Sequence, residues 1–287
     1  MRINRELTAM LLLAAFGTVG CSSGKAPEAT PPQPAGTAHA KPIAVPHVVE
    51  QKEEQGTTGV VPPKAAGPVS FDEAAAAYEA KNYSEATKLF GEYAERRPKN
   101  AWGHFMLGLS ASKAGDLAMA ESAFEQALAI DPNHTKTLVN LSRVLIDQGR
   151  LDDAIVRLTH AAELVPDSAD VQRLLGRAYA GQRRTHEAVD AYSHAIALDA
   201  RDAWSMNNLG LLLLEQGRAD EALPPLSKAA ELRKDVPAFH NNLGMALEHT
   251  GRFKAAAAAY RDALAADAGY VKAQQNLARV EAVKSDR

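Results

Sequence analysis

The chain has 287 residues, of which 46% are hydrophobic, so it can build a packed core and wholesale disorder is excluded. Its 32 basic and 35 acidic residues give a formal net charge of −3, which disfavours nucleic acid as a main partner. The single cysteine excludes an intramolecular disulfide and a zinc site built from several thiolates, and the low aromatic content of 6% disfavours a β-sandwich or barrel.

The first twenty residues have the pattern of a secretory signal peptide. Arg2 and Arg5 provide a basic start, and the run from Ala9 to Phe16 is apolar. That run is too short to span a bilayer, which needs about 20 residues. We therefore exclude residues 1–20 from the fold.

The signal segment ends at Thr18-Val19-Gly20-Cys21, which resembles the bacterial lipoprotein box, although that box usually has Leu where Thr18 stands. The resemblance implies that Cys21 becomes the lipidated N-terminus of the mature chain. Because Ser22, rather than Asp, follows the cysteine, the resemblance also implies the periplasmic face of the outer membrane. The alternative is ordinary signal cleavage nearby, which would leave Cys21 as a free thiol.

Residues 22–68 contain nine of the fifteen prolines and little apolar periodicity. Proline fixes φ and removes a backbone donor, so this composition predicts a disordered tether with polyproline II character. Fully extended at about 3.1 Å per residue, the tether would reach at most ~145 Å. We interpret residues 21–68 as the lipidated cysteine and a spacer.

From residue 69 onwards the chain repeats every 34 residues. One column pairs Leu with a small residue: Leu107-Gly108, Leu141-Ser142, Leu175-Gly176, Leu209-Gly210, Leu243-Gly244 and Leu277-Ala278. A column of alanines comprises Ala86, Ala120, Ala154, Ala188, Ala222 and Ala256. A column of large residues comprises Phe90, Phe124, Leu158, Tyr192, Leu226 and Tyr260.

Each repeat predicts two helices of about 13 residues joined by a tight turn. Gly115, Gly149, Gly217 and Gly251 mark that turn, with Arg183 replacing glycine once. Glycine suits the positive φ of such a turn, and small residues allow two helix axes to approach to about 8–10 Å. The large residues fill the remaining space.

These columns resemble the tetratricopeptide repeat (TPR). The resemblance implies an all-α, right-handed superhelix over residues 69–287, with six helix-turn-helix units and a C-terminal capping helix over 271–284. The implied units are 67–100, 101–134, 135–168, 169–202, 203–236 and 237–270. The first is degenerate, and Ser70 to Glu73 predicts a capping box at the start of its first helix. Pro224-Pro225 predicts a kink or a late start in the second helix of the fifth unit.

The first helices of TPR units line a concave groove, and we number positions from the start of each unit. At 100° per residue, positions four, seven, eight and eleven should be buried, and positions two, six, nine and thirteen should face the groove. The predicted peptide-binding residues are Trp102 and Trp204 at position two, Asn140, Asn208, Asn242 and Asn276 at position six, and Arg143 and Arg177 at position nine.

An asparagine amide can pair with the N–H and C=O of an extended peptide, and Trp and Arg are common interface anchors. Some TPR proteins use such an asparagine ladder. The alternatives are that these asparagines are ordinary solvated residues and that each tryptophan packs on the preceding unit.

No catalytic constellation is evident in the sequence. The nine histidines form no His-Glu-x-x-His motif, and no phosphate loop or nucleophile elbow occurs. His104 and His240 fall in the predicted buried column and should pack and hydrogen-bond rather than bind metal. We therefore expect a non-enzyme without cofactor, metal, nucleic acid or small-molecule substrate.

The predicted function is a scaffold that binds a protein or peptide partner and is anchored to the outer membrane by lipid. Its build resembles the TPR lipoproteins of type IV and Flp pilus assembly. The alternative is an adaptor or regulator of a periplasmic enzyme, such as a cell-wall hydrolase.

Overall fold

The computed structural model describes residues 69–285, with side chains as far as Ala282. The predicted signal peptide, Cys21 and the tether lie outside these residues. Within them the structure is all-α. Its helices are α1 (Phe71–Glu79), α2 (Tyr83–Arg96), α3 (Ala101–Ala114), α4 (Leu117–Ile130), α5 (Thr135–Asp147), α6 (Leu151–Leu164), α7 (Ala169–Gly181), α8 (Thr185–Leu198), α9 (Ala203–Glu215), α10 (Ala219–Leu232), α11 (Pro237–His249), α12 (Phe253–Ala266) and α13 (Val271–Ser285).

The helix starts follow the 34-residue repeat. The first helices from α3 to α13 begin at residues 101, 135, 169, 203, 237 and 271, and the second helices from α2 to α12 begin at residues 83, 117, 151, 185, 219 and 253. Helix α1 is shorter and begins at Phe71, where the Ser70 hydroxyl accepts a hydrogen bond from the Glu73 amide. This is the N-terminal cap predicted for the degenerate first unit.

The turns inside the units have the predicted left-handed residue. Gly115, Gly149, Gly217 and Gly251 have φ between 73° and 89°, and Arg183 takes the same region at φ 59°. Lys81 does so in the first unit, at φ 61°. The handedness of this turn is therefore kept even where the glycine is not.

In the four units that have glycine at position eight, close packing inside the unit leaves no room for a Cβ atom. A Cβ on Gly210 would lie 2.4 Å from Cγ of Leu226, and one on Gly244 would lie 2.4 Å from Cε1 of Tyr260. All six members of the large-residue column are buried in the described structure. The large side chains therefore occupy the space that the missing Cβ atoms leave.

The first helices form the inner layer of the array. Each contacts the first helix of the next unit from α3 through α13, whereas second helices in the described chain make no comparable contact with one another. The inner side of a curved array brings its helices closer together. The first helices therefore line the concave face, as predicted.

The predicted burial pattern of the first helices needs a correction. Positions three and ten are buried in every unit from α3 to α13, although the prediction omitted both. Position four, predicted to be buried, is mixed: Leu138 is buried, His240 is half-buried and Gln274 is exposed. The reason is that a first helix lies between its own second helix and the next unit. Neighbouring helices therefore bury a wider arc of its surface than the single apolar stripe used for the prediction.

Of the kink or late start predicted for the second helix of the fifth unit, the late start is wrong and the kink stays a prediction. Helix α10 begins at Ala219, in register with the other units, and runs through both prolines. The carbonyls of Asp220 and Glu221 lose their amide partners, but both residues are exposed, so water can replace those donors. Pro224 is exposed and Pro225 is half-buried.

Candidate functional site

The two tryptophans lie on the groove side of the first helices and are partly exposed. Trp102 on α3 is 40% exposed, and its ring packs 5.0 Å from Phe105 and 5.7 Å from the imidazole of His134. The ammonium of Lys136 lies 5.3 Å from the centroid of the same ring. Trp102 thus contacts the following unit, whereas the alternative reading had it packing on the preceding one.

Trp204 repeats this arrangement three units later. It is 47% exposed, and its ring makes an edge contact at 4.9 Å with Phe239 of the next unit, which is itself 1% exposed. Each tryptophan therefore has one face held by a neighbouring ring and another left to solvent. A rigid, half-exposed indole is the kind of residue that anchors an interface.

Three of the four predicted asparagines form a connected network. The Nδ2 of Asn276 donates to Oδ1 of Asn241 at 2.9 Å, and the Nδ2 of Asn242 donates to Oδ1 of Asn207 at 2.9 Å. Asn241 and Asn207 in turn donate to Oδ1 of Asn242 (3.4 Å) and Asn208 (3.2 Å). The five amides therefore connect helices α13, α11 and α9.

The network ends on a buried hydroxyl. Asn208 donates from Nδ2 to Oη of Tyr192 at 3.2 Å, and burial raises the pKa of Tyr192 to about 12. Each of the hydrogen bonds that joins two helices in this chain donates towards the earlier helix. Because a carboxamide has two N–H groups and an oxygen with two lone pairs, the half-buried Asn208 and Asn242 each keep one spare donor and one spare acceptor.

Asn140, the remaining predicted asparagine, does not join this network. Its Nδ2 donates to the carbonyl of Lys136, one turn earlier on α5. With Lys136, Val139, Arg143 and Asp170 it lines a cleft of about 560 Å³ between α5 and the start of α7. The predicted ladder is therefore divided into one isolated residue and one connected group.

Asn207 and Asn241 were not among the residues predicted from the sequence. Both are buried at position five, and they carry the hydrogen bonds between successive units. A signal was present, because the pair Asn-Asn occurs at 207–208 and again 34 residues later at 241–242. The helical wheel assigned position five to neither the buried nor the groove stripe.

The predicted arginines are engaged in ion pairs between adjacent first helices. Arg143 on α5 lies 2.5 Å from Asp170 on α7, and Arg177 on α7 lies 2.7 Å from Asp147 on α5. All four side chains are more than a third exposed, so each pair contributes at most about 1 kcal/mol to stability. Both arginines are thus accessible from the groove, and each already forms an ion pair with an aspartate of this chain.

Arg173 extends this cluster into the core. It pairs with Asp170 and reaches Oδ2 of Asp202 at 3.3 Å, whose side chain is only 2% exposed. The hydroxyl and amide of Ser205 also donate to Asp202, at 2.6 and 3.2 Å. Asp202 is therefore a satisfied buried carboxylate that caps α9, with a structural role.

Arg279, Glu248 and Tyr260 form a polar cluster at the C-terminal end of the groove. Arg279 on α13 donates to both carboxylate oxygens of Glu248 on α11, and Tyr260 donates to the same carboxylate at 2.8 Å. Burial alone would raise the pKa of Glu248, but these hydrogen bonds outweigh it and hold the pKa below its usual value. Burial, reinforced by the hydrogen bond to Glu248, raises the pKa of Tyr260.

The two histidines expected to be structural have hydrogen-bond roles. Nε2 of His104 lies 3.1 Å from the carbonyl of Pro98, and Nε2 of His240 lies 3.2 Å from that of Lys234. Each thereby forms the predicted hydrogen bond, to a loop carbonyl six residues before it. Within residues 69–285, no cluster of His, Cys, Asp or Glu has the arrangement of a metal site.

Between residues 69 and 285, no helix has both the length and the apolar content that a membrane crossing requires.

Comparison with protein-family models decides the family. Tetratricopeptide repeat models match residues 71–135, 111–178 and 207–271, which together cover more than half of the chain. The chain belongs to the tetratricopeptide repeat family. The matched ranges include Trp102 and four of the five network asparagines, whereas Trp204 and Asn276 lie outside them.

Solved TPR structures share the fold. A MamA protein is 27% identical, with a TM-score of 0.52, and the match covers 60% of this chain and 94% of MamA. Pseudomonas aeruginosa pilF is 18% identical, with a TM-score of 0.64 and coverage of 72% and 95%. TTC0263, a thermophilic TPR protein in Thermus thermophilus, is 22% identical, with a TM-score of 0.52 and coverage of 63% and 98%. A comparison with curated protein sequences found no match.

Proposed function

We propose that this TPR protein is a non-catalytic scaffold that binds an extended polypeptide along the groove formed by its first helices. The observation that carries the proposal is the amide network, in which buried asparagines hold Asn208 and Asn242 in fixed orientations with hydrogen-bonding capacity to spare. An extended backbone offers an N–H and a C=O at each residue, so such amides can bind it without recognising its side chains.

The groove proposal is tested with linear peptides of about 15 residues, selected from a random display library on the purified protein. That length matches the span of α3 to α13, because helices about 8–10 Å apart cover some 40–50 Å and an extended chain rises about 3.3 Å per residue. We expect Asn208→Ala with Asn242→Ala to weaken binding of the selected peptides by roughly 1–3 kcal/mol in total.

Asn133→Ala is the matched control, because Asn133 is an exposed asparagine in the loop before α5. It should leave peptide affinity unchanged. Selected peptides that bind the double variant as tightly as the original protein would remove the amide network from the binding site.

We further propose that a lipid on Cys21 anchors the scaffold at the periplasmic face of the outer membrane. Support comes from the apolar run that ends at this single cysteine and from the proline-rich segment that follows it. Two or more acyl chains give a stable anchor, since each buried methylene contributes about 0.8 kcal/mol.

The anchor is tested by fractionation of cells that produce the full chain. Cys21→Ser should move the protein from the membrane pellet to the soluble fraction, whereas the neighbouring Ser22→Ala should not. Retention of the Cys21→Ser variant in the membrane pellet would contradict lipidation.

Within this role we propose a task in pilus or secretion-machine assembly. The proposal rests on the combined build of signal segment, candidate lipid-bearing cysteine and six TPR units, which resembles pilus-assembly TPR lipoproteins. Affinity purification with the membrane-anchored protein tests it: pilus or secretin subunits should be recovered, whereas a cell-wall hydrolase as the main partner would favour the enzyme adaptor instead.

A further inference from the structure

From α3 to α11 the groove has two halves with different chemistry. In units two to four, the groove positions two, six, nine and thirteen and the adjacent position five hold five basic residues and two acidic ones. These are Lys113, Lys136, Arg143, Arg173 and Arg177, against Asp147 and Asp170. In units five and six the same positions hold no Lys or Arg and one acidic residue, Glu215, together with the four asparagines of the network's centre.

The charge of the first half is not cancelled locally. Arg143 and Arg177 pair with the two groove aspartates, and Arg173 also reaches Asp202. Among the described residues, no carboxylate lies within ion-pair distance of Lys136, whose ammonium instead contacts the ring of Trp102. Even with Asp202 counted, this half keeps two positive charges in excess, although the whole chain carries a net charge of −3.

A tryptophan stands at the start of each half. Trp102 lies beside Lys136 in the basic half, and Trp204 lies one helical turn before Asn208, on the same face of α9. The two indoles are three units apart, or about 24–30 Å if neighbouring first helices are about 8–10 Å apart. An extended chain covers that distance in about seven to nine residues.

We infer that the groove binds an extended segment of a partner in two blocks: an acidic block on units two to four, and an uncharged block on units five and six. The basic half attracts carboxylates, whereas the amide half favours uncharged side chains and binds the backbone. The inference rests on the proposed function, because it specifies the ligand of the same groove.

The test is the composition of the peptides selected on the full chain. We expect Asp and Glu to be enriched in one half of these peptides and depleted in the other. Replacing the acidic residues of a selected peptide by Asn or Gln should weaken binding roughly threefold to tenfold, the range for a few exposed charge pairs. That loss should shrink at 1 M salt, where the screening length falls to about 3 Å.

Two double variants, each of which removes two positive charges, distinguish the charge of the groove from the electrostatic field of the whole protein. Lys136→Gln with Arg143→Gln should abolish the preference for acidic residues, whereas Lys88→Gln with Lys254→Gln, on exposed second-helix positions, should preserve it. In the Trp204→Phe variant, Trp102 emission should respond to the acidic half of the peptide.

Each alternative outcome has a distinct meaning. Peptides that depend on Asn208 and Asn242 but show no acidic enrichment would overturn the two-block inference and leave the groove function standing. An equal effect of both double variants would also overturn the inference. Peptides insensitive to every groove variant would remove the groove function itself.

Discussion

Asn207 and Asn208 are adjacent and chemically identical, yet they have different roles in the structure. Asn207 is buried and uses its amide to connect α9 to α11, whereas Asn208 is half-buried and presents unused hydrogen-bonding capacity. A buried amide without partners would cost about 1–3 kcal/mol, so each buried asparagine requires its neighbour in the network. The pair is thus a support and a recognition residue in consecutive positions.

His134 provides a prediction at the scale of one residue. Burial lowers its pKa below the ordinary value of 6.5, the charge of Asp131 opposes that shift, and the charge of Lys136 adds to it. The folded protein therefore binds this proton less readily than the unfolded chain. Stability falls as the pH drops through 6.5 towards the lower folded-state pKa.

Trp102 reports this titration, because the His134 ring lies 5.7 Å away and an imidazolium quenches indole emission. In a Trp204→Phe background, Trp102 fluorescence should decrease on acidification with a midpoint below pH 6.5. His134→Gln in the same background should remove the transition. A midpoint at or above 6.5, or a transition that survives His134→Gln, would contradict this account.

At the scale of the element, packing sets where a helix begins and ends. Helix α10 keeps its register through Pro224 and Pro225 because Ala222, Leu226 and Ala229 are fully buried against neighbouring helices. Proline in a helix interior costs about 3 kcal/mol or more where its neighbours are enclosed. In α10 the carbonyls that lose a hydrogen bond are exposed to solvent, so the cost of the prolines is small. Burial of the apolar side chains therefore outweighs the preference of proline against a helix interior.

The close contact at position eight gives a prediction for a whole helical pair. Gly210→Ala should lower the free energy of unfolding by about 1–3 kcal/mol, because its Cβ would meet the fully buried Leu226 at 2.4 Å. Gly91→Ala in α2 is the matched control, since the nearest atom to its Cβ is 4.0 Å away.

The control should stabilise the protein by up to about 1 kcal/mol, the difference between Gly and Ala in a helix. Urea unfolding followed by circular dichroism measures both changes. If both variants shifted stability in the same direction, crowding against Leu226 would not be the reason for glycine at this position.

At the scale of the whole molecule, each unit depends on its neighbours and the last one depends on α13. This helix buries Ala273 and Val280, and Arg279 binds Glu248 of the preceding unit. In a linear array, the loss of a terminal element uncovers the apolar face of the unit beside it.

Ending the chain at Tyr270 should therefore lower the free energy of unfolding by about 2–4 kcal/mol, the range expected when one or two buried apolar side chains lose their cover. Val280→Asp in the full chain should reproduce most of the loss, and Lys272→Gln, at an exposed position, should not. A truncated protein with an unchanged melting temperature would show that α13 is not a structural cap.

The sequence alone determined the architecture of the described chain. A period of 34 residues without insertion fixes the helix starts, and recurrent glycine, alanine and large residues fix the turn and the crossing inside each unit. Such features are local, because they depend on backbone geometry and on contacts between residues close in the chain. Three features depended instead on neighbouring units: burial at positions three and ten, the position at which α10 begins, and the ion pairs of Arg143 and Arg177.

The candidate site, too, was predicted in part from the sequence and in part decided by the tertiary structure. The sequence placed Trp102, Trp204 and three network asparagines on the correct helices, since their spacing is periodic. Only the tertiary structure showed that Asn207 and Asn241 connect them and that Asn140 stands apart. Hydrogen bonds between side chains 35 residues apart depend on the distance between packed helices, and that distance is set by all the contacts of both units together.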